Sequence, residues 1–186
     1  MEANSIVEYT RDQAASGFTN AWGETRESTI TEQQSQQQAQ LARQITLVDA
    51  QTKAWSTRFF WIAGLSLVNS IGVAIGVSLV FVVGLGITQL IDGFGEAYGP
   101  PTSYLAPIVD LGVAGMFVAF GMLARKGYTW AFVVGMAIYA LDAMLYLLVQ
   151  DWLAIGFHGL FLFYLFQGLR ASTDLAKLKA QQARVF

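Results

Sequence analysis

Leu41, Ile45, Val48, Trp55 and Phe59 follow one another at steps of four, three, seven and four residues, with Thr52 at the skipped position. That spacing lays one apolar stripe along a helix. It predicts an amphipathic helix over residues 31–58, with Thr31 as its N-cap and eight Gln between positions 33 and 51 on its polar side. Upstream, residues 1–30 mix polar positions with scattered aromatics (Tyr9, Phe18, Trp22) and show no sustained period. A flexible segment is expected there. The opening MEANSIVEYTRDQ has no basic stretch followed by an apolar run, so insertion into a membrane is expected to start from an internal apolar segment.

From Phe59 the pattern changes from striped to continuous. Residues 59–91 form a run of 33 without a charge. As a straight helix it would rise about 50 Å, against a hydrocarbon core of roughly 30 Å, so tilt, protrusion or a break near Gly72–Gly76 must absorb the excess. Further apolar runs cover residues 104–124, 128–149 and 152–168, separated by Arg125–Gly127 and by Gln150–Asp151. The predicted fold is therefore all-α, an integral membrane four-helix bundle preceded by a cytoplasmic amphipathic helix. Residues 59–170 make up the transmembrane domain, and residues 171–186 are expected to form a short C-terminal helix at the inner surface.

Composition sharpens this reading. The first 58 residues hold seven acids and five bases of the chain's 13 and 11, leaving only six of each for the other 128 residues. Basic residues flank the runs on one side: Arg43, Lys53 and Arg58 before the first, Arg125 and Lys126 after the second, and Arg170, Lys177, Lys179 and Arg184 after the fourth. Asp92, Glu96 and Asp151 occupy the other ends. The positive-inside tendency then puts both termini in the cytoplasm. The absence of Cys and of an Arg-rich start points to a bacterial inner membrane. With no Cys and a net charge of −2, disulfides, thiol chemistry and a nucleic-acid partner are not expected.

Three ionisable residues lie inside the apolar runs: Asp110, Asp142 and His158. A charge near the middle of a spanning helix costs about 2.5–3.5 kcal/mol on insertion scales, so each should turn inward and find a partner. Counted from the outer ends of their spans, all three sit at one depth, which predicts an intramembrane polar layer. Tyr139 and Tyr146 flank Asp142 at i−3 and i+4, within reach of hydrogen bonds to it or to one another. Ser66, Asn69, Gly72 and Gly76 make a polar, small seam on the first span.

No catalytic constellation accompanies these residues. Gly64-Leu65-Ser66-Leu67-Val68 has Val where a nucleophile elbow needs its second Gly, and Gly84-Leu85-Gly86 has Gln89 where a dinucleotide fingerprint needs its third. A single His excludes paired-His metal motifs, so no metal or cofactor is expected. The leading functional expectation is an accessory or scaffold subunit acting through helix–helix contacts, with the lipid bilayer and either other membrane subunits or further copies of the chain as partners. The alternatives are a proton-coupled or ion transporter built on the Asp110/Asp142/His158 layer, and a metal-dependent membrane-embedded enzyme.

Overall fold

A computed structural model describes the backbone of residues 3–74, 85–87, 97 and 102–185, and the side chains of residues 29–72, 85–87, 97 and 107–184. Four elements occur among the described residues, all helices: α1 (Ala3–Ala74), α2 (Thr102–Arg125), α3 (Thr129–Leu148) and α4 (Trp152–Val185). No strand occurs among the described residues. The chain divides into two compact units, residues 1–44 and 45–186. In the first, side chains from Thr29 onward are exposed except that of Leu41. The second carries the core.

Two boundaries differ from those read in the sequence. Helix begins at Ala3, so residues 1–30, which show no sustained apolar period, are helical from that point, and Thr31 lies inside α1 rather than at its cap. No Pro occurs before Pro100, so nothing in this stretch is sterically barred from helix. At the other end, the tail expected as a separate helix continues α4 to Val185, because no Gly or Pro follows Gly168.

Three helical segments, Pro107–Arg125, Thr129–Leu148 and Trp152–Arg184, are long and apolar enough to cross a membrane. Their large aliphatic and aromatic side chains are largely turned outward, among them Ile108, Leu111, Val133, Leu141, Leu148, Trp152 and Phe163. Inside lie small, aromatic and polar residues, including Ser66, Asn69, Asp110, Asp142 and His158. A chain dissolved in water avoids this inverted distribution, whereas a lipid solvent, as apolar as Leu itself, permits it.

Short connections set the helix order. After α2, Gly127 adopts a left-handed backbone (φ +89°). Its N–H donates to the Ala124 carbonyl at 3.0 Å, and Tyr128 N–H donates to the Leu123 carbonyl at 3.2 Å. This pair of bonds closes a helix end on a glycine. Between α3 and α4, Gln150 takes the left-handed conformation (φ 56°). Asp151 then caps α4, its Oδ1 accepting the Ala154 N–H at 3.0 Å. Replacing Asp151 by Ala should lower thermal stability in detergent by about 1 kcal/mol, the usual worth of such a cap.

Contacts across this turn are nested about Gln150: Asp142 meets His158, Tyr139 meets Phe161, and Phe132 meets Gly168. The nesting makes α3 and α4 an antiparallel hairpin. Further along, Thr129 and Ser172 share a hydrogen bond of 2.9 Å.

The apolar stripe of α1 faces this hairpin and α2. Thr52, Ser56, Phe59, Ile62, Ala63, Ser66 and Asn69 are buried at helical spacing. The buried hydroxyls of Thr52 and Ser56 donate to the Val48 and Lys53 carbonyls at 2.9 and 2.8 Å, so they need no outside partner. Phe59 is fully buried, with ring centroids 5.7–6.3 Å from Phe117, Phe120 and Phe132. Glycines let these rings in: a Cβ on Gly135 would overlap the Phe59 ring, and one on Gly168 would overlap the Phe132 ring.

Candidate intramembrane polar site

The buried face of α3 runs through Ala131, Phe132, Gly135, Tyr139, Asp142 and Tyr146. From Phe132 onward their steps of three and four residues put Asp142 in line with both phenols. His158, on α4, is fully buried, and Asp142, on α3, is 5% exposed. Because the hairpin pairs residues equally far from Gln150, the two side chains meet.

Asp142 is held on both carboxylate oxygens. Oδ2 accepts the Gly86 N–H and Oδ1 the Ile87 N–H, each at 2.8 Å. Oδ2 also lies 3.1 Å from His158 Nε2. The two amides belong to the stretch read as one long span. Leu85 is non-helical, and Gly86 and Ile87 are helical in backbone. Their N–H groups point at Asp142, as the free donors of a helix start do. Residues 59–91 therefore do not run as one unbroken helix, and the carboxylate satisfies backbone groups that the interruption exposes. Gly86 is required at this approach, since a Cβ there would lie 2.8 Å from the Tyr146 ring.

Proton bookkeeping fixes the charge of the pair. His158 Nδ1 lies 2.9 Å from the Ala154 carbonyl oxygen. A carbonyl only accepts, so Nδ1 carries a hydrogen and donates it. Nε2 and Oδ2 are both acceptors unless one proton lies between them, and their contact requires that proton. Whether it is bound to nitrogen or to oxygen, the pair has no net charge, and a buried pair of zero net charge avoids the cost of an isolated ion.

Aromatic rings enclose the imidazole. Tyr139 stacks on it with ring centroids 4.5 Å apart and planes 16° from parallel, and the Tyr146 ring lies 4.8 Å away. The Tyr139 hydroxyl, expected to bond Asp142 or Tyr146, has no hydrogen-bond partner among the described residues. Its contribution is the ring face laid against His158.

Asp110 stands apart. It is 2% exposed, and neither carboxylate oxygen has a hydrogen-bond partner among the described residues. The three ionisable residues thus divide into a bonded pair and a separate acid. From the predicted seam, Ser66, Asn69 and Gly72 are buried on α1, while Gly76 lies outside the described residues. No group of three or more His, Asp or Glu side chains suited to a metal ion occurs among the described residues.

Beside Asp142 is a cavity of about 290 Å³, lined by Leu85, Ile87, Val113, Phe117, Ile138, Leu141, Asp142 and Leu145. Asp142 is the one polar residue among the described residues of that lining.

No family model, curated protein or solved structure matches this chain. The geometry above therefore carries the functional argument alone. Sequence reasoning missed the Gly86 and Ile87 amides, because a backbone donor has no signature in side-chain chemistry. The available signal was a Gly-x-Gly inside an uncharged run too long for one straight crossing.

At the opposite end of the helices, Arg58 lies over the rings of Trp55 and Tyr164, 5.8 and 5.0 Å from their centroids. Arg125 lies 5.9 Å from the Phe60 ring. These contacts bring two of the basic clusters to one level of the α1–α2–α4 contact.

Proposed function

We propose that the protein is an accessory or scaffold subunit of a bacterial inner membrane, a four-crossing helical bundle that works through helix–helix contacts. The observation that carries this reading is how Asp142 is used: both oxygens hold backbone amides, and its proton-sharing partner is sealed between rings. Such a group fixes the backbone and offers little to a travelling ion. The orientation rests on the cations. Arg58 and Arg125 share a level, which favours that level as the cytoplasmic face with both termini there. α1 reaches that level at Phe60 and α2 ends at it, which favours an odd number of crossings between Phe60 and the start of α2.

The test is mass. Extracted from its own membrane in mild detergent, the tagged full chain should migrate with other subunits or as an oligomer. A lone monomer at physiological abundance would overturn the scaffold reading.

A transporter reading keeps one observation in its favour, the carboxyl of Asp110, which has no hydrogen-bond partner among the described residues. In that case liposomes containing the protein should show proton or cation flux that Asp110→Asn abolishes. Flux unaltered by the substitution, or absent from the wild type, counts against it.

A further inference from the structure

The cavity beside Asp142 is too apolar to be a water site. A buried water needs two to four polar partners, and cavities walled by aliphatic and aromatic groups stay dry or take apolar guests. Here the described wall residues are Leu, Ile, Val and Phe, with one carboxylate among them. Its mouth is on the outer apolar surface: Leu141, one of the lining residues, is 65% exposed, and Leu145 is half-buried beside it. What lies outside that mouth, given the bilayer placement proposed above, is lipid.

The carboxylate sets the chemistry of the guest. Each carboxylate oxygen has two acceptor positions. Oδ2 uses both, on Gly86 N–H and on the proton shared with His158. Oδ1 has one donor among the described residues, Ile87 N–H, which leaves one position. That remaining position calls for a hydrogen-bond donor. Because the Asp142–His158 pair carries no net charge, nothing there balances an incoming cation, and an ammonium ion would be buried uncompensated. A neutral hydroxyl meets both conditions.

We propose that this cavity is a lateral binding site for a neutral, bilayer-borne alcohol, an apolar molecule whose single hydroxyl donates to Asp142 Oδ1. A lipid hydroxyl, as in diacylglycerol, and the phenolic hydroxyl of a quinol share this chemistry. The site depends on the bilayer placement and is independent of the scaffold role. Leu141 forms its rim and Asp142 its polar end.

The full chain reconstituted in liposomes is irradiated with either of two diazirine probes, a long-chain alkanol and its methyl ether, and labelled peptides are mapped by mass spectrometry. Both probes should label the outward apolar residues Leu147–Val149, which tests the bilayer placement separately from the site. Over Ile138–Leu145 the alkanol should label about five-fold more than the ether, the preference that one net hydrogen bond confers. Leu141→Trp, a change at an exposed position that blocks the mouth, should reduce alkanol labelling there to the level of the ether. Leu148→Trp, at an 81% exposed position outside the cavity, should leave it unchanged. Excess diacylglycerol and excess quinol are added as competitors, and the one that displaces the alkanol identifies the source. Equal labelling by alkanol and ether, indifference to Leu141→Trp, or displacement by neither competitor overturns the proposal.

Discussion

Replacing His158 by Ala is expected to destabilise the protein by about 3 kcal/mol or more, the cost of removing one partner from a buried pair. The reason is specific to the geometry. Asp142 keeps the Gly86 and Ile87 amides at 2.8 Å, but it loses the group that shares its proton. The stacking face of Tyr139 empties at the same time, adding a cavity to the electrostatic loss. Asp142→Asn is expected to cost less, about 1–3 kcal/mol. The Asn amide donates to Nε2 and its carbonyl still serves the Ile87 N–H, so the Gly86 N–H and the second Asn N–H are left unpaired. Thermal unfolding in detergent, followed by loss of the monodisperse peak, gives the ranking wild type, Asp142→Asn, His158→Ala. If His158→Ala unfolds with the wild type, the pair does not hold the fold.

Much of this arrangement is legible in the sequence, because lipid makes polar positions costly and hence conspicuous. Asp142 and His158 stand out as ionisable residues in apolar runs, and Gln150–Asp151 leaves room only for a tight turn that brings them opposite one another. The limits of α2, α3 and the start of α4 follow Arg125, Gly127 and Asp151 closely. Helix continuity is less legible. Arg170, Lys177 and Lys179 end the hydrophobicity of the fourth run without ending its helix, since charged residues with long side chains are good helix formers. The interruption at Leu85 is hidden for a different reason. It is stabilised by a residue 55 or more positions away, and period and propensity read only local neighbours. The isolation of Asp110 is hidden likewise: equal depth in three helices restricts which side chains can meet, but helix rotation decides which of them do.

Rotation is set where rings enter glycine gaps, and Gly135→Leu is expected to damage that part of the core by overpacking it. Its Cβ alone overlaps Phe59, which is already enclosed by Phe117, Phe120 and Phe132. The ring has nowhere to turn. Overpacking of this kind costs about 1–3 kcal/mol, and more where neighbours cannot yield. Phe59→Ala should itself cost about 3–5 kcal/mol through the cavity it leaves. The two changes share one volume, so the double variant should be less unstable than the two effects added, with a coupling of about 0.5–3 kcal/mol in its favour. Equilibrium unfolding of the four proteins in the same detergent measures that coupling. Strict additivity would mean that Phe59 does not occupy the gap at Gly135, and the contact that orients α1 against α3 would have to be sought elsewhere.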